Sequence, residues 1–532
     1  MSLREKLLNP EAWPVRADRV EFLETHISEL YFVGDRVYKV KKAVDLGFLD
    51  FRTLESRCFY CQEELRLNRR LSPDVYLGVR EIREDEHGRV RLDGPGKLLE
   101  PAVEMRRLPA DRMLDQLLDR GDLDNSMMRA LANRLHRFHA TAERGPDIDE
   151  WGRPAAVERN ALENFDQVRE PLKGLDRDRS PISAPQLGWL GTWTRRFLKD
   201  HRGLLARRVE EGRICDGHGD LHAGNICFQR DGGEESIRIY DCLEFAPRYR
   251  QADVACDLAF LLMDLDARGY RAFSSWLLHE YGDLGQDPEL GVLMPFYKGY
   301  RACVRAKVAL LRSLQLSDAA AFTALEEARS YFQLALSYTL PPVLILLCGL
   351  PACGKSVAAE VVARPFEARI LESDRVRKIQ HGLRPQARSD SGLREGIYTP
   401  SASQEVYAEL LFEARASLEE GRSVVVDAGF RRVRDRRPFL DLARGPGLPC
   451  TILHLTVPEA ITRTRMATRA ANENSTSEAD WSVYLALAKD LEACEEIPAN
   501  QLVEASGELE GGVLASRVFD SLIAQRSRDA GS

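Results

Sequence analysis

The sequence predicts two domains of mixed class: an α+β domain of two lobes over residues 1–340, then an α/β domain with a parallel sheet over residues 341–532. Three observations carry this expectation. At 532 residues the chain is too long for a single hydrophobic core. Short β-rich runs with hairpin turns between residues 26 and 105 give way to helical periodicity from Ala110 onward. After Pro341-Pro342, apolar runs alternate with helical patterns, the signature of strands joined by helical crossovers.

Composition narrows the classes. Hydrophobic residues make up 44% and charged residues 30%, an ordinary globular balance. A net charge of −8 argues against a surface that coats nucleic acid, while leaving room for a local basic cleft. The opening MSLREKLLNPEAW lacks the apolar core of a secretion signal, and no apolar run approaches the ~20 residues of a membrane span. The 11 cysteines form no disulfide-like framework, so a reduced, cytoplasmic setting without a membrane partner is expected. Cys58 and Cys61 have C-x-x-C spacing but no second pair or nearby His, and they read as helix packing residues.

In the first domain, residues 26–33 and 36–40 read as strands joined by Gly34-Asp35. Val37, Lys39 and Lys41 share one face of the second strand, because side chains alternate. A helix follows over 54–71, a hairpin over 75–83 and 89–92, and a strand over 97–105. These make a small lobe over about 20–108. A helical lobe follows over about 109–338, with helices at 111–120, 126–141 and 189–211 and looped chain within 145–188. Leu131, Leu135 and Phe138 form a helical stripe, and His136 and His139 beside it are assigned no chemistry.

Residues 214–228 read ICDGHGDLHAGNICF, in which His218, Asp220 and Asn225 fit H-x-D-x-x-x-x-N. Two short strands follow, 226–229 and 236–240, and the second delivers Asp241. Phosphoryl transfer to an alcohol needs a carboxylate at the acceptor hydroxyl and ligands for Mg²⁺ on the nucleotide phosphates. Asp220 fits the base, and Asn225 and Asp241 fit the metal ligands. Asp253 and Asp257, in QADVACDLAFLL, read as helix caps in preference to supports for this loop.

The second domain opens with an apolar strand over 343–348, the loop Gly349, Leu350, Pro351, Ala352, Cys353, Gly354, Lys355 and Ser356, and a helix. The loop matches G-x-x-x-x-G-K-[ST]. Its backbone N–H groups form an anion nest at a helix N-terminus, Lys355 reaches the β- and γ-phosphates, and the Ser356 hydroxyl binds Mg²⁺. Strands at 368–371, 422–427, 450–457 and 501–503 and helices at 401–420 and 458–471 complete the alternation. Carboxylates at the C-terminal ends of parallel strands face the ligand crevice. Asp427 therefore fits a Mg²⁺ ligand, and Asp374 a base for an acceptor alcohol. Arg465 and Arg469, four apart on one helix face, are placed to stabilise charge on the transferring phosphoryl group.

The order of parts over residues 20–335 resembles the aminoglycoside phosphotransferase family, most specifically at 218–225 and Asp241. That resemblance implies a bilobal protein-kinase-like fold, with a lysine on the third strand paired to a helix glutamate. Lys39, with Lys41 next, and Glu64, with Glu63 next, fit those parts. It also implies a hinge near 104–108 that holds adenine. The chain departs from the pattern of protein kinases in lacking G-x-G-x-x-G before Lys39 and in following Asp241 with Cys242-Leu243-Glu244. Residues 341–527 resemble the P-loop small kinases that include polynucleotide kinase and zeta-toxin-like proteins. That resemblance rests on 349–356, on Ser373-Asp374-x-x-Arg377, and on Asp427-Ala428-Gly429-Phe430 with the arginines of 431–437. It implies that Asp374 activates a substrate hydroxyl with Arg377 nearby, and that a polar lid lies over ATRAANENSTSEADW.

The whole resembles bifunctional aminoglycoside phosphotransferase/ATP-binding proteins. The implied function is an ATP- and Mg²⁺-dependent phosphotransferase with two nucleotide-binding kinase domains acting on hydroxyls of small molecules. Two other readings are a P-loop kinase regulated by a non-catalytic nucleotide-sensing domain, and a nucleic-acid end kinase, against which the acidic balance weighs.

Overall fold

The computed structural model describes residues 2–45, 49–231, 234–384, 396–470 and 481–529, with the backbone alone at 230, 231, 234, 235, 469, 470 and 527–529. The chain divides into two compact units, Met1–Asn160 with Leu198–Lys298, and Ala161–Phe197 with Gly299–Ser532.

The first unit begins with a six-stranded antiparallel sheet. Its strands are β1 (Glu21–Glu24), β2 (Ser28–Val33), β3 (Arg36–Lys41), β4 (Tyr76–Glu84), β5 (Val90–Leu92) and β6 (Lys97–Arg106), in the order β1-β2-β3-β6-β4-β5. Helix α1 (Leu54–Asn68) lies between β3 and β4 in sequence, capped by Thr53, whose side chain accepts from the Ser56 N–H. β3 is central and covered on both faces. Tyr38 and Val40 pack with Leu7 and Trp13 of the N-terminal segment, where the Trp13 and Tyr38 rings stack at 4.5 Å. Val37 packs on the other side with Cys61 of α1 and Val103 of β6. That second face carries Lys39 and Lys41, both buried.

The rest of this unit is helical, with two short ribbons. β7 (Ile214–Asp216) pairs with β10 (Gln251–Asp253), and β8 (Ile226–Asp231) pairs with β9 (Glu234–Ile239), both antiparallel. Helix α2 (Val254–Ala267) follows β10 directly, and every residue from Val254 to Asp266 is buried.

The second unit contains a five-stranded, wholly parallel sheet. Its strands are β11 (Leu344–Cys348), β12 (Arg369–Glu372), β13 (Val424–Asp427), β14 (Cys450–Thr456) and β15 (Leu502–Ser506), in the order β12-β13-β11-β14-β15. Crossovers run through α3 (Lys355–Ala363), α4 (Ser373–Gln380), α5 (Pro400–Glu419) and α6 (Glu459–Ala470), among other helices. β11 is buried throughout, as its unbroken apolar run requires of a central parallel strand. Val406, Leu410 and Ala414 of α5 close one face with Leu344, Leu346 and Val426.

Three features differ from the reading of the sequence. The compact units divide the chain differently from the expected domains that meet at Pro341: residues 161–197 and 299–340 cluster with the parallel sheet. The reason is packing: Gln333 donates to Gly512 O at 2.8 Å, and Gln186 to Ser516 O at 2.7 Å, both on the C-terminal helix Gly511–Asp529. The stretch 145–188, expected to include loops, has one at 174–183 and is otherwise mostly helix, in Pro146–Gly152, Pro154–Lys173 and the start of Ala184–Asp200. Prolines at the first turns of the first two are compatible with helix, which the composition of the stretch obscured. Strand β1 was not foreseen at all. No helix among the described residues is long and apolar enough to cross a membrane.

Candidate active sites

In the first unit, Lys39 Nζ lies 2.9 Å from Glu64 Oε1 and 2.6 Å from Asp241 Oδ1. One ammonium therefore ties the sheet, α1 and the segment after β9 together. Lys41 also reaches Glu64, at 2.6 Å from Oε2, and it pairs further with Glu244. Both lysines thus pair with Glu64, while Glu63 pairs with Arg66 at the surface. Burial opposes charge on Glu64, but the two ammonium groups outweigh it and hold the carboxyl below its ordinary range.

The ladder between β8 and β9 brings Asn225 and Asp241 to the same end. Ile226 pairs with Ile239, and the Tyr240 N–H donates to Asn225 O at 3.1 Å. Asp241 itself has φ +61°, uncommon for a residue with a side chain, and its side chain is 44% exposed. The Asn225 amide donates to Asp220 O at 3.0 Å, which stiffens the loop that carries Asp220. His218 is buried below this loop: Nε2 meets Tyr240 O at 3.0 Å and Nδ1 meets the Asp220 N–H at 3.3 Å. That pattern fixes the Nε2–H tautomer, and burial lowers the pKa of the ring.

Asp257 is more than a helix cap. Its carboxylate accepts from the His218 N–H at 2.7 Å and the Gly219 N–H at 2.8 Å, and meets His139 Nε2 at 3.1 Å. His139 in turn contacts the Tyr281 hydroxyl at 2.7 Å. Asp264, two turns on, accepts from the Ala223 N–H at 2.9 Å. The cap role belongs to Asp253, which accepts from the Ala255 N–H and pairs with Arg208. The end of α1 and the chain just after it brace the same region: Asn68 accepts from the Cys242 N–H, and Arg70 donates to the carbonyls of Asp216 and Gly217. The expected hinge has two of its N–H groups engaged: Arg106 donates to Val75 O, and Arg107 to Asp35 O.

In the second unit the Gly349–Ser356 loop joins β11 to α3. Gly349, Ala352 and Gly354 have φ of +146°, +64° and +102°, the alternation that turns successive N–H groups to one side. A Cβ on Gly349 would stand 2.5 Å from Leu455 O, so only glycine fits there. Lys355 Nζ donates to the carbonyls of Gly349 and Leu350, both at 3.0 Å. Pro351 and Cys353 complete the loop, and Ser356 Oγ donates to Asp427 Oδ2 at 2.7 Å.

Arg465 reaches this loop from α6, donating to Ala352 O at 3.2 Å and to Gly507 O at 3.1 Å. The Arg469 side chain and the lid residues 471–480 lie outside the described residues. Asp374 is in the first turn of α4, two residues past the strand end where it was expected, and Glu372 takes the cap position. Burial raises its pKa, the charge of Asp427 adds to that, and Arg377 opposes it. Arg377 is buried, donates to Ile397 O and lies 5.0 Å from the Tyr398 ring centre. The arginines of 431–437 are not one basic patch. Arg436 is wholly buried and holds Glu496 and the Phe430 carbonyl, and Arg432 pairs with Asp490.

Residues 344–493 match the AAA domain family. The uncharacterized protein Rv2004c of Mycobacterium tuberculosis is 33% identical over 408 residues, covering 77% of this chain and 78% of that protein. The chain belongs to the family of Rv2004c. Among solved structures, a Plasmodium vivax ethanolamine kinase aligns at 13% identity and TM-score 0.38 over 59% of this chain and 82% of its own. A gluconokinase from Sinorhizobium meliloti 1021 aligns at 20% identity and TM-score 0.24 over 36% of this chain and 94% of its own.

For this member of the family, sequence reasoning missed three contributors, Asn68, Arg70 and Gly507, and gave Asp257 the lesser of the two roles weighed for it. Asp257 had a signal. A lone carboxylate inside the apolar run VACDLAFLL must find partners once the helix is buried. The others had none, because their partners lie far away in sequence.

Proposed function

We propose that the protein is an ATP- and Mg²⁺-dependent phosphotransferase with one nucleotide-binding centre in each unit, each acting on a hydroxyl of a small-molecule acceptor. The observation that carries the two-centre reading is Lys39, whose ammonium bridges Glu64 and Asp241 in the unit that lacks the glycine-rich phosphate loop. Of the two buried lysines on β3, Lys39 is the one whose ammonium meets the half-exposed carboxylate of Asp241, which supports its assignment to phosphate rather than to structure alone.

In the first unit, Lys39 holds phosphate oxygens, and Asp220 accepts the proton of the acceptor hydroxyl. In the second, the loop N–H groups and Lys355 hold the β- and γ-phosphates, Arg465 meets charge that develops in transfer, and Asp374 takes the hydroxyl proton. The donor sets suit a hard cation: an amide oxygen and a carboxylate at Asn225 and Asp241, and a hydroxyl and a carboxylate bonded to each other at Ser356 and Asp427. Mg²⁺ held there would neutralise charge on the phosphates. The burial of Arg436 and the pairing of Arg432 support a small acceptor over a nucleic-acid end.

The test is transfer of label from ATP into a metabolite extract, with wild type beside Asp220→Ala and Lys355→Ala, each checked for folding. Two products, each lost in a different variant, are expected. A single product abolished by Lys355→Ala and untouched by Asp220→Ala would leave the first unit without a catalytic role.

A further inference from the structure

The first unit holds a second buried lysine that phosphate binding does not employ. The Lys41 side chain is wholly buried, with Nζ 2.6 Å from Glu64 Oε2 and bonded to Glu244, itself buried. The Phe51 ring lies 5.1 Å from that ammonium and meets Phe245 edge-on at 6.3 Å, so the pair sits beneath aromatic rings.

The arrangement repeats itself. Lys39 and Lys41 are two apart on β3 and share a face. Each reaches one oxygen of Glu64, and each reaches one carboxylate of the segment Asp241-Cys242-Leu243-Glu244. Asp241 is half-exposed and read as a metal ligand, so Glu64 is the fully buried carboxylate that Lys39 relies on, and it is shared with Lys41. Without Glu244, Lys41 would draw Glu64 toward itself and away from Lys39. Apolar residues could fill this space at no loss of stability, but they would present no charge to the second oxygen of Glu64.

We propose that Lys41 and Glu244 are positioning residues of the first unit's site: as a neutral pair they hold Glu64 in place for Lys39 and anchor the far end of the segment that carries Asp241. The proposal rests on the reading of that unit as a nucleotide-binding phosphotransferase.

The test uses the full chain carrying Lys355→Ala, which silences the second unit's loop. It reads equilibrium binding of fluorescent N-methylanthraniloyl-ATP with Mg²⁺, beside thermal unfolding. Lys41→Met strands the buried Glu244 carboxylate and lowers both Tm and affinity, while Glu244→Gln leaves Lys41 to compete with Lys39 for Glu64 and lowers affinity. The double variant removes both charges and recovers Tm to within about 3 °C of the parent. Its affinity stays down by about tenfold or more. Glu244→Asp, which keeps the charge but shortens its reach, also loses affinity while Tm stays near the parent's. Affinity that returns with Tm in the double variant, or is unchanged in Glu244→Asp, overturns the proposal. The reading beneath it fails separately: a Lys355→Ala parent that binds no nucleotide, or whose binding survives Lys39→Met, overturns that reading before Lys41 or Glu244 is altered, and the proposal with it.

Discussion

Ser356 Oγ donates to Asp427 Oδ2 at 2.7 Å, joining the first turn of α3 to the C-terminal end of β13. Strand register makes the bond possible. Leu347 pairs with Asp427 across parallel neighbours, so the carboxylate stands beside the start of the phosphate loop. Asp427→Asn and Ser356→Ala are therefore expected to weaken Mg²⁺-dependent nucleotide binding by about tenfold or more, since a hydrogen bond to a charged group is worth roughly 1.5–3 kcal/mol. Titration with nucleotide in the presence and absence of Mg²⁺ checks this. Metal-free binding should change far less than the metal-dependent increment.

Arg465 donates to Ala352 O of the phosphate loop and to Gly507 O, which holds its guanidinium against that loop. If it meets charge in the transition state, Arg465→Ala lowers kcat of the second unit by up to ~10³ with a much smaller change in KM. A rise in KM alone would mark a residue that merely shapes the loop. Steady-state kinetics in an Asp220→Asn background, which leaves one centre active, separate the two outcomes.

The two sites were legible to different degrees for physical reasons. The phosphate loop is local: eight consecutive residues set both its backbone and its chemistry, so the motif alone located it. Lys39, Glu64, Asp220, Asn225 and Asp241 come from four separate segments, and the order of elements had to supply what spacing could not. That order left Lys39 and Lys41 unresolved, because both point the same way from β3. β1 was invisible because its four residues EFLE are largely exposed and carry no alternating apolar face. Gly507 had no signal either, since a Cβ there would collide with Cys353 O at 1.8 Å, a contact between residues more than 150 apart. The helices of 161–197 and 299–340 join the second unit through side chains such as Gln186 and Gln333, contacts that a break at Pro341-Pro342 does not reveal.

His218 and Asp257 make the first unit's stability depend on acid in two stages. Burial pushes the His218 pKa down, so as pH falls the unfolded chain binds a proton before the folded one does. Its contribution is complete above about pH 6.5 and declines below that. Burial pushes Asp257 up, but the hydrogen bond and charge of His139, with the N–H of His218, outweigh it and hold the carboxyl well below the usual range. Its contribution is complete above the ordinary Asp value of about 4 and declines as pH falls below it. His218→Gln should therefore flatten the Tm profile near pH 6, and Asp257→Asn should flatten it below pH 4 while lowering Tm at neutral pH. Thermal melts of the three proteins across pH 3–8 check both.

Asp374 should shape the acid side of the second unit's activity. Burial raises its pKa, the nearby Asp427 charge adds to the effect, and Arg377 works against both. A base must be ionised to take a proton, so turnover should rise with pH along a limb that lies above the ordinary Asp value of about 3.9. Removing the opposing charge tests the cause. Arg377→Met should move that limb to higher pH, and Arg377→Lys, which keeps a cation there, should move it much less. Arg377 also bonds to Ile397 O and Ser403 Oγ, so the variants will lose some activity through geometry alone. A geometric loss scales the whole profile without shifting it, whereas a change in the charge facing Asp374 displaces the limb. A limb that stays in place in Arg377→Met would remove Asp374 from the role of base.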